Sequence, residues 1–90
     1  MRTIDDYIDI AKARNGFKSD NQMARALLIT SSTLNAWRMR RAWPCDDYMT
    51  QIAVLAGISE QEALVELNIW RDKSPRSRAV YSRLLERLTA

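Results

Sequence analysis

Ninety residues, 47% of them apolar and 28% charged, with two glycines and two prolines, make one small domain. That is too short for a second regulatory module and too apolar for a disordered chain. With no histidine and one cysteine, Cys45, a Cys/His zinc site, a Ser-His or Cys-His nucleophile pair and an internal disulfide are excluded within a single chain, and the net charge of +3 leaves the partner open until its distribution is read.

Ile4, Tyr7, Ile8 and Ala11 recur at i, i+3, i+4, i+7, one face of a first helix that should run to about Arg14 and stop at Asn15-Gly16. Ser19-Asp-Asn-Gln22 has the spacing of a capping box and opens a second helix carrying Met23, Ala24 and Leu27 inward. Thr30 is a good N-cap for a third, from Ser31 to about Arg40, with Leu34 and Trp37 on its buried side. Beyond Pro44, Asp46 or Asp47 would cap a fourth helix with Met49, Ile52, Ala53 and Ala56 inward, and Gly57 would end it. Ser59-Glu-Gln-Glu62 is a second capping box, heading a fifth helix through Leu64, Leu67 and Trp70 to about Lys73. Ser74-Pro75 reads as N-cap and first helical residue of a sixth, through Val80, Leu84 and Leu88. The expectation is an all-α domain of five to six helices. No apolar run approaches the ~20 residues of a membrane span. The N-terminal residues lack the apolar core of a signal peptide, so a cytoplasmic protein is expected.

Charge is segregated along this chain. Seven basic residues face one acidic between Lys12 and Arg41, two face six between Asp46 and Ser74, and four face one from Pro75 onward. A basic face of that kind is an electrostatic footprint for phosphate. Between Asp20 and Trp37, Ala24 supplies the small residue that two steeply crossing helices need. Met23, Leu27, Leu34 and Trp37 supply the apolar contacts, and Ile29 plugs the space beneath the turn. An ordinary helical hairpin would satisfy the same spacing. The small polar run Thr30-Ser-Ser-Thr33 instead suits a helix lying close to base edges.

The run Met23-Ala-Arg-Ala-Leu-Leu-Ile-Thr-Ser-Ser-Thr-Leu-Asn-Ala-Trp37, followed by Pro44 and Ile52-Ala-Val-Leu-Ala-Gly-Ile58, resembles the Cro/repressor-type helix-turn-helix family of phage regulators. Ser19-Asp20, Trp37-Arg38 and the ending from Arg71 to Tyr81 resemble, more narrowly, small helix-turn-helix proteins of filamentous phages and prophages. The resemblance implies a lambda-repressor-like core over about 4–58 and a C-terminal helical extension over about 59–89. It also implies a transcriptional repressor binding a palindromic double-stranded DNA operator as a homodimer. Ser31, Ser32, Asn35 and Ala36 would then meet base edges. Arg38, Arg40 and Arg41 would hold phosphates at the end of the third helix, and Lys18, Asn21 and Gln22 at the start of the second. The pattern usually has glycine where Leu28 and Arg40 stand, so a wider turn or an apolar contact is expected at Leu28, and an extension of the third helix past Arg40.

Trp70, Tyr81, Leu84, Leu85 and Leu88 are the candidate dimer surface, because so short a chain has difficulty burying the apolar faces of its last two helices together. Asp20 opposes phosphate binding. A protein-interaction module, such as an antitoxin or a phage accessory protein using the acidic stretch Asp46–Asp72, is the competing reading. No catalytic constellation, metal site, cofactor or small-molecule ligand is implied.

Overall fold

Six helices and no strand make up the chain in a computed structural model that describes residues 1–90: α1 (Ile4–Asn15), α2 (Asp20–Ala26), α3 (Ser31–Arg38), α4 (Asp46–Ala56), α5 (Glu60–Arg71) and α6 (Pro75–Thr89). No helix is long and apolar enough to cross a membrane.

Local capping explains most of the boundaries. At α1 a full capping box forms from Thr3-Ile-Asp-Asp6, with the Asp6 N–H donating to Thr3 Oγ1 at 3.2 Å and the Thr3 N–H donating to Asp6 Oδ2 at 2.8 Å. The box expected at α2 is displaced. Ser19 Oγ does accept from the Gln22 N–H, but Gln22 Oε1 takes the N–H of Lys18, at 2.6 Å, instead of that of Ser19. At α5, Ser59 Oγ accepts from the Glu62 N–H while the Glu62 carboxylate reaches Arg2. Contrary to expectation, neither Asp46 nor Asp47 caps α4: Cys45 holds the N-cap position without a side-chain bond, and the two carboxylates lie in the first turn, where the positive end of the helix favours them.

The two positions that lack the glycine of the related pattern adopt the glycine conformation regardless. Leu28 has φ of 57° and Arg40 of 56°, both left-handed. The turn after α2 is therefore not widened, and α3 stops at Arg38 instead of extending past Arg40. Leu28 is also 89% exposed, so it makes no compensating core contact. A left-handed L-residue costs about 1–2 kcal/mol, and glycine gives part of that back through its freer unfolded chain. Leu28→Gly is accordingly expected to raise stability by about 0.5–1 kcal/mol in thermal melts, while Leu28→Ala, which keeps the Cβ, gives no gain.

One apolar cluster joins the first five helices. Ile4, Tyr7, Ile8 and Ala11 of α1, Met23, Ala24 and Leu27 around α2, Leu34 and Trp37 of α3, Met49, Ile52, Ala53 and Ala56 of α4, and Ala63 and Leu67 of α5 are all buried together. Each large apolar side chain so enclosed contributes about 1.5–3 kcal/mol. No α6 residue is buried, and α6 packs against α5 alone. It covers Val65 and Ile69, which are buried but lie outside the main cluster.

A second, polar attachment ties the N-terminus to α5. Glu66, 1% exposed, accepts from the Tyr7 hydroxyl at 2.6 Å, from Arg2 Nε at 2.8 Å and from the Arg2 N–H at 3.1 Å. Trp70 Nε1 donates to the Arg2 carbonyl at 3.2 Å, and the Trp70 ring meets Tyr7 edge-on and stacks on Trp43. Trp70, expected on a dimer surface, is thus half-buried and engaged within its own chain.

Candidate nucleic-acid interface

α2 and α3 lie with their N-terminal halves beside one groove. Asp20 and Asn21 line one side of it, Ser31, Ser32 and Asn35 the other, and none of the five is apolar. A neighbouring hollow, lined by Asn21, Ala24, Arg25, Ile29 and Ser31, continues past the same Asn21 and Ser31. The sequence fixes this geometry locally. Ala24 and Leu27 bury the inner face of α2, Leu34 and Trp37 that of α3, and the remaining 100° steps turn Asn21, Arg25, Ser31, Ser32 and Asn35 outward.

Thr30 takes the capping role for α3, its hydroxyl accepting from the Thr33 N–H at 3.1 Å. Ser31 and Ser32 are therefore not needed as caps, and both stand exposed in the groove beside Asn21 and Asn35. Ala36, the fourth expected base contact, is half-buried and does not line the groove.

The cations divide into two sets. Arg38 is drawn inward, only 20% exposed, among three carboxylates: its Nε and Nη2 each lie 2.9 Å from Asp20, Nη1 3.0 Å from Asp5 and Nη2 2.7 Å from Asp9. Lys12 Nζ adds a 3.0 Å contact to Asp20. Arg40 Nη1 reaches Asp5 at 3.0 Å and the Arg38 carbonyl at 2.6 Å. Arg38 and Arg40 thus tie α1, α2 and the end of α3 together; of the two expected phosphate contacts Arg38 is taken up inside the chain, while Arg40 remains 44% exposed. Gln22 is likewise engaged at the head of α2.

The same cluster removes the objection posed by Asp20. Hydrogen bonds from Arg38, reinforced by Lys12, hold its carboxyl at about 2, below the ordinary 3.8. Against partial burial, hydrogen bonds from Arg38 and Arg40 also hold the Asp5 carboxyl below its usual range. Three aspartates and three cations cancel there. Lys18, Arg25 and Arg41 remain exposed and without a carboxylate partner near the groove's elements. Arg25 escaped the sequence reading; its place on the outer face of α2, one turn beyond Asn21, was the available signal.

Of the expected dimer residues, Leu84 and Leu88 are exposed, together with Val80, whereas Tyr81 and Leu85 are half-buried against α5. Comparison of the chain with protein-family models, with curated proteins and with solved structures finds no match.

Proposed function

We propose that the protein is a sequence-specific double-stranded DNA-binding regulator, a repressor of the phage type its sequence resembles, acting as a homodimer on a palindromic site. The observation that carries this reading is the groove between α2 and α3. Asn21, Ser31, Ser32 and Asn35 stand there together, exposed and outside the core, on a helix pair whose inner faces are locked by packing. Such a projecting helix fits the major groove. Asn35 has the fork for an adenine edge, and Ser31 and Ser32 accept or donate to either base of a pair. Lys18, Arg25 and Arg41 flank the groove as phosphate contacts that set register, and the Arg38 cluster fixes the angle at which α3 is presented.

The three unpaired cations flanking the groove of each protomer give six phosphate contacts in a dimer, so log K should fall with log salt at a slope near −5. Asn35→Ala should lose about 1–3 kcal/mol on the preferred duplex and little on random duplex, because a base-edge pair matters only where its base is present. Both are read by fluorescence anisotropy over a salt series. Equal losses on the two duplexes would move Asn35 to a positioning role, and a slope shallower than about −2 would remove the phosphate contacts altogether.

A further inference from the structure

Five of the eight large apolar side chains that stand exposed fall into two sets: Leu28 and Val54, and Val80, Leu84 and Leu88. The second set is a stripe at i, i+4, i+8 along α6, the helix with no buried residue. Of the first set, Val54 lines a groove with Ala26, Leu27, Thr50, Gln51, Leu55 and Glu60, between the end of α2 and the outer face of α4. Leu28 follows the lining Leu27 in the chain and holds its exposed, left-handed position where glycine would cost less.

We infer that the α6 stripe of one copy seats in the α2–α4 groove of a second copy, reciprocally, and that this is the contact of the dimer. The inference deepens the dimer part of the proposed function and does not depend on DNA.

Charge selects the second copy as occupant. Arg2, Arg38, Arg40 and Arg71 each have a carboxylate partner within the chain, but none of Arg76, Arg78, Arg83 and Arg87 on α6 does. Arg76, Arg83 and Arg87 form a ridge along the flank of the stripe nearest Val80, at 100° per residue. Glu60, on the rim of the groove, is exposed and has no cation partner. The basic ridge and the acidic rim thus lack in the monomer what each would give the other. An antiparallel pairing of stripe against stripe sets the same flank of both helices face to face and brings the Arg83 and Arg87 of the two copies together, whereas a parallel pairing needs the opposite flank, where Tyr81 and Leu85 are already half-buried on α5. Reciprocal seating avoids this repulsion and uses every contact twice, which is how a small patch approaches the ~1,200 Å² of the smaller stable interfaces.

Full-length protein carrying Cys45→Ser is the background for Val54→Cys and Leu84→Cys, both at exposed positions, with folding checked by circular dichroism. The two single-cysteine proteins are oxidised alone and mixed, without DNA. The expected result is a covalent dimer in the mixture that neither protein forms alone, with sedimentation showing a dimer before oxidation. Glu60→Arg should weaken the dimer ~10-fold, and Glu60→Arg with Arg83→Glu and Arg87→Glu in the same chain should restore it. Leu28→Gly should weaken the dimer while stabilising the fold. Efficient cross-linking of Leu84→Cys alone would overturn the seating in favour of α6 against α6, and a dimer with neither cross-link would place the axis elsewhere. A protein that sediments as a monomer at all concentrations would overturn both the seating and the dimer, leaving DNA binding to be judged on its own.

Discussion

Arg38→Ala is expected to destabilise the fold by about 2–3 kcal/mol. Breaking a buried ion pair on one side costs about 3–5 kcal/mol because the other charge is left uncompensated. Here three carboxylates are left, but Asp5, Asp9 and Asp20 are all more than a third exposed, and water screens part of their repulsion. Arg38→Lys should recover part of the loss, since an ammonium reaches one carboxylate well but cannot span Asp5, Asp9 and Asp20 in a fork. The effect has a pH signature. Folded-state carboxyls held below their ordinary value add stability that is present above that value and is lost as pH falls through the folded one. For Asp20 the window runs from its ordinary 3.8 down to about 2. Melting wild type and Arg38→Ala side by side should therefore show their difference shrink across that window. A difference that persists unchanged at the acid end would assign the loss to the packed stem of Arg38 instead.

Glu66→Ala is expected to cost about 3 kcal/mol. The carboxylate is 1% exposed and satisfies the Tyr7 hydroxyl, the Arg2 guanidinium and the Arg2 N–H at once, so its removal leaves buried donors unpaired and residues 1–3 unmoored from α5. Burial first, and the adjacent Glu66 carboxylate second, push the Tyr7 hydroxyl well above its ordinary range, so it remains a donor at any working pH. Tyr7→Phe combined with Arg2→Met and Glu66→Met removes every polar side chain of the set together, leaving only the Arg2 N–H to be met by water, and should recover most of the stability. If the triple variant were no more stable than Glu66→Ala, the loss would come from the shape of the site and not from its unpaired groups.

Most of the architecture was legible in the sequence because period and punctuation agree there. The 3.6-residue apolar spacing located α1, α4 and α5, Gly16 and Gly57 ended two helices as expected, and Ser74-Pro75 opened α6. The Thr3…Asp6 box has the same kind of spacing as those at Ser19 and Ser59 and was readable in principle. What was not legible depends on contacts distant in sequence. Arg38 lies 33 residues from Asp5 and 29 from Asp9, and nothing local distinguishes it from the unpaired Arg41. Glu66 reads as a solvent-facing residue of an amphipathic helix until Arg2, 64 residues away, folds over it. The left-handed Leu28 and Arg40 show tertiary packing overriding local preference, since the chain keeps its turn without the residue that favours it. For the groove, Asn21, Ser31, Ser32 and Asn35 were legible because the helical period alone turns them outward together.

Selection of bound duplexes from a random pool with the 90-residue chain decides whether this groove reads DNA sequence. The expected result is an enriched palindrome whose half-sites are centred about one helical turn apart, ~10 base pairs, or a multiple of it, and whose preference at one position is lost with Asn35→Ala. A pool that emerges with no enriched motif, though the protein is folded, would contradict it.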